Sequence, residues 1–402
     1  MERILITGGR APVSLELVRQ FSTAGKKVFV ADSAPCFLAS GSKLIEKSFQ
    51  LPRPRQSPRE FADALEKIII DERIDMVIPT CEEVFYLSRF AARLRKITDL
   101  FCLDLGQLRP LHNKWTFSVI AKGLGVEVPQ TWLIRTLDDL QSISVPPEEL
   151  VFKPVYSRFA VHTLIKPKSN QLGKINPTEE NPWVAQKFIE GNEFCSYAVA
   201  CNGKLTAHAL YEPLWRAGRS SSYYFAATER KSIELFTSNF VKETNYTGQV
   251  AFDFIEDKDG KIYVLECNPR ATSGMHLFLP QDNLTKAFAP GCENVIHPSA
   301  AEPRMLSTIM AILGPAQALQ TGRYKQYLKD FARAKDAVWN SKDPYPSLYG
   351  LVGLSAFLCL AVKEGLNPMA ASTFDIEWDG EEIAPDDSFK FPQLTKITQE
   401  AL

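Results

Sequence analysis

Short apolar runs alternate with helix-type periodicity along roughly the first hundred residues of the chain. The runs have the length of buried strands, and apolar residues between them recur at the three- and four-residue spacing of helices. Such alternation predicts an open parallel sheet with helices on both faces, an α/β unit. The predicted strands are residues 3–6, 28–31, 76–78 and 100–103, and the predicted helices are residues 14–21, 61–69 and 84–90.

The pattern changes near residue 128. From there to about residue 290, longer apolar runs are joined by turn residues, which is typical of an α+β region. A helix over residues 114–124 leads into it, and from Pro303 onward the periodicity predicts helices again. The predicted strands are residues 150–155, 160–165, 183–189, 193–201, 204–211, 248–256 and 261–267.

Composition narrows the range of partners. The 402 residues carry a net charge of −1 with both signs interspersed, so we expect neither nucleic acid nor membrane as a partner. The eight cysteines form no C-x-x-C pair and predict a reducing, cytoplasmic setting. The longest apolar run, residues 351–362, is shorter than the ~20 residues of a membrane helix and is expected to be a core helix.

The first strand ends in Gly8 and Gly9, and the second is closed by Asp32, which imitates a dinucleotide fingerprint. The G-x-G-x-x-G spacing fails, because the sequence continues Arg-Ala-Pro-Val after the two glycines. A nicotinamide or flavin site is therefore a remote alternative. The same edge of the sheet could still contribute to a substrate cleft.

Two apolar runs, residues 250–256 and 261–267, flank the turn formers Asp-Lys-Asp-Gly and predict a β-hairpin. A turn centred between Lys258 and Asp259 would pair Asp253 with Val264. Asp253 and Glu266 would then be diagonal neighbours about 7–8 Å apart on one face. A shift of one residue in the turn would place the two acids on opposite faces.

Two carboxylates and the Asn268 amide on one strand face would repel each other and lose solvation. A magnesium ion resolves both problems, because it takes hard oxygen ligands and leaves other positions to substrate phosphates. Arg270 adds a cation suited to phosphoryl groups, and the small residues after it form a plausible anion-binding turn. An exposed hairpin face that merely tolerates acids is the alternative.

At this point the chain resembles the ATP-grasp superfamily, particularly its carbamoyl-phosphate-synthase-like and amino-acid-ligase branches. The resemblance covers residues 1–290 as a series of elements in the family's order. Asp253 and the run Glu-Cys-Asn-Pro-Arg at residues 266–270 are similar to the family's metal ligands and the basic residue after them. Phe-Lys-Pro at residues 152–154 and Lys114 are similar to its two nucleotide-binding lysines.

The resemblance implies a role for each matching residue. The metal ligands for Mg²⁺ or Mn²⁺ would be Asp253, Glu266 and Asn268, and Arg270 and Lys153 would be catalytic. ATP would be bound by Lys114, Lys153, Arg158 and the hinge residues Gln186, Lys187, Phe188 and Ile189, with Glu193 on the ribose.

The sequence departs from the family at two places. The loop after Lys153 lacks glycine, so Arg158 would supply charge in place of backbone amides. No arginine closely precedes Asp253, and Arg216, Arg219 or Arg230 could substitute, with nothing in the sequence to choose among them.

The implied domains are a pre-ATP-grasp α/β domain (1–110), two ATP-grasp lobes (111–185 and 186–300, the second with the metal site) and a mostly helical extension (301–402). The implied activity is an ADP-forming ligase of the carboxylate–amine or carboxylate–thiol type, with small-molecule substrates. The alternatives are a kinase or phosphate-activating enzyme on the same scaffold, and a nucleotide-binding regulatory protein with a degenerate site. The protein would act as a monomer or as a homodimer.

Overall fold

The computed structural model describes residues 1–157, 162–216, 222–299 and 302–383. Within this part of the chain, the N-terminal region forms a parallel sheet in the order β3-β2-β1-β4-β5, as the alternating pattern predicts. Strand β3 is mostly exposed and mostly polar, so no apolar run in the sequence predicted it. The strands are β1 Arg3–Thr7, β2 Lys27–Asp32, β3 Lys47–Gln50, β4 Met76–Ile78 and β5 Asp99–Leu100. The helices are α1 Pro12–Thr23, α2 Pro58–Asp71, α3 Glu83–Arg89, α4 Ala91–Leu94, α5 Leu105–His112 and α6 Lys114–Gly123.

The middle of the chain forms two antiparallel sheets, which confirms the α+β prediction. The smaller has the order β6-β9-β7-β8 and the larger the order β14-β13-β10-β11-β12-β15-β16, with only β15 and β16 parallel among its described pairings. The elements of the smaller are β6 Thr131–Ile134, α7 Leu137–Ser142, β7 Leu150–Pro154, β8 Leu164–Ile165 and β9 Trp183–Lys187. Those of the larger are β10 Gly191–Cys201, β11 Lys204–Arg216, β12 Ser222–Thr228, α8 Lys231–Glu243, β13 Gly248–Asp257, β14 Ile262–Asn268, β15 Arg304–Met305 and β16 Lys335–Asp336.

Helix α8 covers one face of the larger sheet through an aromatic cluster. The rings of Phe236 and Phe240 meet the buried Phe252 of β13 edge to face, with centroids 5.2 and 4.8 Å apart. Offset and edge-on aromatic pairs of this kind stabilise a core beyond the area that they bury. Because side chains alternate along a strand, Asp253 lies on the opposite face of the sheet.

The C-terminal region is helical, as predicted, but its longest helix is not a core helix. The helices are α9 Ser307–Gln320, α10 Tyr324–Arg333, α11 Tyr345–Glu364 and α12 Pro368–Ala371. Helix α11 has the length and apolar composition to cross a membrane, yet only 17% of the apolar window is buried. The expectation of burial was wrong because α11 packs on the first domain through small residues, such as Gly353 against the Cys36 carbonyl. The absence of a membrane partner stays a prediction.

The segment after α12 returns to the N-terminal sheet. Asp375 is buried and pairs with Arg10 at 2.6 Å, and Arg10 also pairs with Asp32 at 2.6 Å. Arg10 thereby uses Asp32 as an ion-pair partner, so the apparent dinucleotide acid has a structural role.

Substitution of Asp375 by asparagine should lower the free energy of unfolding by about 1.5–3 kcal/mol, the usual contribution of a charged hydrogen bond. Burial opposes ionisation, but the hydrogen bond and charge of Arg10 lower the pKa of Asp375 below its ordinary 3.8. The difference should therefore be present at neutral pH and disappear as the pH falls through the folded-state pKa. Urea unfolding at pH 7 and pH 3 measures it, with the exposed turn variant Asp259→Asn as control; equal loss in both variants at pH 7 would exclude the ion pair.

Candidate functional site

The acidic hairpin forms, but with a different register from the one predicted. Gly260 adopts φ +78°, and the Asp257 N–H donates to the Lys261 carbonyl at 2.9 Å, so the loop has three residues rather than two. That shift alone would have put the acids on opposite faces. An irregularity between Asp253 and Phe254 restores a common face. Asp253 and Glu266 are consequently direct cross-strand partners, not diagonal neighbours.

Each carboxylate of this pair has a distinct electrostatic environment. Burial and the facing charge of Glu266 raise the pKa of Asp253. Burial opposes ionisation of Glu266 as well, but the Lys114 and Lys153 ammonium groups outweigh it and lower the pKa of Glu266. The pair therefore favours one bound proton or a cation between its oxygens.

Lys114 is positioned by the start of helix α6. The Asn113 side chain caps the helix by accepting from the Thr116 N–H at 2.9 Å, and the Lys114 N–H donates to the Val155 carbonyl at the end of β7. The Lys114 Nζ donates to the Ser157 carbonyl at 3.0 Å and lies 4.0 Å from Glu266. Burial lowers the pKa of Lys114 to about 8.

Lys153 reaches the same acids from the neighbouring sheet. It follows Phe152, whose ring is in the core of the smaller sheet, so alternation along β7 turns Lys153 to the other face. Its side chain is buried, and burial lowers its pKa while the charges of Glu266 and Asp253 oppose that shift. Two buried ammonium groups from different elements thus act on one carboxylate pair.

Asn268 and Arg270 continue the site beyond Glu266. The Asn268 Nδ2 lies 3.4 Å from the Asp253 carboxylate, and its Oδ1 accepts from Arg270 at 3.0 Å. A flip of the amide would exchange these two atoms and turn the oxygen toward Asp253. The Arg270 guanidinium also lies 3.5 Å from Glu82, whose side chain is 1% exposed. Arg270 is therefore held beside the acids by Glu82, the residue that precedes α3.

The predicted hinge lies between β9 and β10. The N–H groups of Lys187 and Phe188 already donate to the carbonyls of Gln130 and Glu149, each at 2.8 Å. The Ile189 N–H makes no hydrogen bond to another described residue, which leaves it as the available donor for an adenine edge. The adenine contact itself stays a prediction.

Two of the hinge side chains, those of Gln186 and Phe188, contact other residues of the protein. Gln186 is buried and donates to the Thr131 hydroxyl at 3.3 Å, while the Phe188 ring is covered by the Lys166 ammonium at 4.9 Å. Lys187 is exposed. Gln186 thus positions the strand rather than offering a free polar group.

The structure distinguishes two of the arginines that the sequence offered as substitutes for an arginine before Asp253. Arg216 forms an ion pair with the half-exposed Glu193. Burial and the charge of Glu266 raise the pKa of Asp253, and the charge of Arg216 partly opposes that rise. Arg230 instead pairs with Glu256 and stacks on Phe194, on the α8 side of the sheet. Arg158 and Arg219 lie outside the described residues.

Residues 8–11 and 80–83, at the edge of the N-terminal sheet that could contribute to a substrate cleft, are partly used for structure. The Glu83 Oε1 accepts from the Thr7 hydroxyl at 2.8 Å and from the Thr80 N–H at 3.0 Å, and burial raises the pKa of Glu83. Arg10 is committed to its two ion pairs. Glu82, by contrast, faces Arg270 and is the residue of these edges that meets the acidic site.

Sequence reasoning missed His112, which is buried where the first domain meets the site. Burial lowers its pKa to about 4, despite the opposing charge of Glu82. Its ring lies near that of Trp378, which stacks on Phe85 at 4.8 Å and comes from the C-terminal segment. Its only sequence signal is its place at the end of α5, one residue before the cap of α6, and that does not indicate a site.

The donor set fits a magnesium ion. Two facing carboxylate groups and a flippable amide provide hard oxygen ligands, and two ammonium groups and a guanidinium stand where phosphate oxygens would need partners. A carboxylate pair in this arrangement is destabilised without a cation or proton. The site therefore has the chemistry needed to bind a metal–nucleotide complex.

Comparison with known proteins agrees with this geometry. Residues 111–274 match the family model described as an ATP-grasp domain. The fold resembles an L-amino acid ligase from Bacillus licheniformis (18% identity, TM-score 0.56, covering 72% of this chain and 75% of that one). It also resembles an N5-carboxyaminoimidazole synthetase from Staphylococcus aureus complexed with ADP (15% identity, TM-score 0.59, covering 80% and 86%).

A third similar structure is the biotin carboxylase domain of the Hydrogenobacter thermophilus 2-oxoglutarate carboxylase, in complex with MgADP, ADP and bicarbonate (13% identity, TM-score 0.53, covering 67% and 64%). Among curated protein sequences, none matches the chain significantly. The family match therefore identifies an ATP-grasp domain at residues 111–274, and the fold of the chain resembles that of the enzymes named above.

Proposed function

We propose that this protein is an ADP-forming ligase that joins a small, amino-acid-like carboxylate to an amine through an acyl phosphate. The observation that carries the proposal is the direct cross-strand pairing of Asp253 and Glu266. The charges of the buried Lys114 and Lys153 act on this pair. This arrangement is suited to phosphoryl transfer, where catalysis consists mainly of positioning and charge stabilisation. The proposed nucleotide cleft lies between the lobes at residues 111–185 and 186–300.

Each residue of the site has a defined task in this proposal. Asp253 and Glu266, with the flipped Asn268 amide, would hold Mg²⁺ or Mn²⁺, which when bound neutralises charge on the phosphates. Lys114 and Lys153 would bind phosphate oxygens, and Arg270 would stabilise the transferring phosphoryl group. The hinge at Ile189 and the carboxylate of Glu193 would bind adenine and ribose.

The reaction would need no nucleophile from the protein. A carboxylate oxygen of the substrate would form a bond to the γ-phosphorus as the bond to ADP breaks. The amine nitrogen would then attack the acyl carbon, inorganic phosphate would leave, and the amine would lose its proton. Burial of both lysines supports a site that excludes water from the acyl phosphate.

In the presence of ATP and Mg²⁺, the protein should release ADP only when a carboxylate substrate is added. A panel of paired amino acids and small carboxylates tests this, and bicarbonate belongs in it because one similar structure contains that anion. Hydroxylamine added in place of the amine should yield a hydroxamate, which only an activated acyl group forms.

Two outcomes would contradict the proposal. Carboxylate-independent formation of a stable phosphorylated product would indicate a kinase on the same scaffold. Tight ATP binding without ADP release across the panel would indicate a regulatory protein.

We expect small molecules as the only substrates and a cytoplasmic location. Analytical sedimentation of the protein would decide between monomer and homodimer.

A further inference from the structure

A second cluster of metal-ligand residues lies away from the acidic hairpin. It combines His208 of β11, Glu234 in the first turn of α8 and His297 in the connection after β14. One ligand atom from each residue lies within 4.8 Å of the other two. We propose that these three residues bind a transition-metal dication, Zn²⁺ by the character of its ligands, at a site separate from the nucleotide site.

The backbone holds the two histidines together although they are far apart in sequence. Ile296 lies beside β11 as an isolated parallel bridge to Ala207. The His208 N–H donates to the Ile296 carbonyl at 3.0 Å, and the Ile296 N–H donates to the Thr206 carbonyl at 2.9 Å. His297 is thereby fixed next to His208, and the rings meet edge to face at 6.4 Å.

His208 points to a ligand independently of the cluster. Its side chain is 3% exposed, and its Nε2 is buried with no hydrogen-bond partner among the described residues. A buried ring nitrogen without a hydrogen-bond partner destabilises the folded state, and a bound cation would offset that loss. His297 Nε2 and Glu234 Oε1 are already 3.1 Å apart, close to the roughly 3.3 Å between ligand atoms of a tetrahedral zinc site.

The ligand set selects the class of metal. Two imidazoles and one carboxylate favour zinc and its neighbours over magnesium, which prefers oxygen ligands. His297 and Glu234 are 50% and 38% exposed, which leaves room for a water or exchangeable ligand.

The site lies on the opposite face of the sheet from the paired acids. His208 shares its face with Leu210, which packs in the core under α8, whereas Tyr211 lies on the face of Cys195 and Asp253. A metal here would join β11, α8 and the connection after β14 without touching the nucleotide. We therefore expect it to stabilise the second lobe.

Zinc titration in excess Mg²⁺ tests the site in the full-length protein, by calorimetry and by the absorption spectrum of Co²⁺ substituted for zinc. We expect one equivalent to bind and to raise the melting temperature. His297→Ala and Glu234→Gln, both at accessible positions, should weaken zinc binding at least about 100-fold, since even outer-shell changes cost 10–100-fold. His162→Ala, and Glu243→Gln on the same helix, serve as matched controls.

Asp253→Asn separates this site from the acidic hairpin, and zinc binding should survive that substitution. Binding that is unchanged in His297→Ala and Glu234→Gln, or that disappears in Asp253→Asn, would overturn the proposal. So would a wild-type protein that binds no zinc at micromolar concentration. Each of these results can be obtained without measuring catalysis, so failure of the zinc site would leave the proposed ligase activity untouched.

Discussion

Replacing Glu266 with glutamine should reduce ADP formation by at least about a hundredfold while the protein stays folded. Glu266 is the member of the carboxylate pair that Lys114 and Lys153 keep ionised, so it carries the negative charge that a metal would need. Glutamine preserves the shape but removes that charge, and charge is what holds a hard cation at the phosphates. Initial rates of ADP release at saturating ATP, over a range of Mg²⁺ concentrations, measure the loss.

The control for this variant is Glu256→Gln on the same hairpin. Glu256 pairs with Arg230 on the α8 side of the sheet, away from the paired acids. The Glu256→Gln variant should therefore retain activity close to that of the wild type. Circular dichroism should give the same spectrum for the wild type, the Glu266→Gln variant and the Glu256→Gln variant. Turnover by the Glu266 variant at the wild-type rate would exclude the metal assignment, whatever the substrate.

Replacing Lys153 with methionine should weaken ATP binding about 10- to 150-fold. A charge-assisted hydrogen bond to a phosphate contributes roughly 1.5–3 kcal/mol, which converts to that range of affinity. Methionine fits the buried position beside Phe152 and removes only the ammonium group. Calorimetric titration with ATP and Mg²⁺ measures the change, and binding of a nucleoside without phosphates should be almost unaffected.

Lys122→Met is the matched control, because Lys122 is an exposed lysine in the last turn of α6, the helix that begins with Lys114. ATP affinity should not change in this variant. If Lys153→Met and Lys122→Met bind ATP equally well, Lys153 does not contact the phosphates, and the cleft would have to orient the nucleotide differently.

Local sequence patterns were sufficient for the order and type of most elements. Apolar runs and helical spacing located β1, β2, β4 and the helices between them, because each of these segments buries one face or both. Two strands were not predicted: β3 is mostly polar and exposed, and the apolar run of β6 is only three residues long. The burial of α11 was misjudged since composition does not say which surface covers a helix.

For the site, the residue types and their order could be read from the sequence: paired acids, two lysines, a hinge and an arginine. Tertiary structure decided which of them meet. The loop at Gly260 and the strand irregularity brought Asp253 opposite Glu266, and no periodicity argument could have combined those two shifts.

The same distinction applies to contacts between distant segments. Arg10 and Asp375 are 365 positions apart, and His208 and His297 are brought together by the bridge between Ala207 of β11 and Ile296. Such contacts depend on how whole elements pack, and each partner alone has no distinctive local pattern. The sequence thus determined the chemistry available to this protein, and the packing of its sheets decided where two separate sets of ligand residues could form.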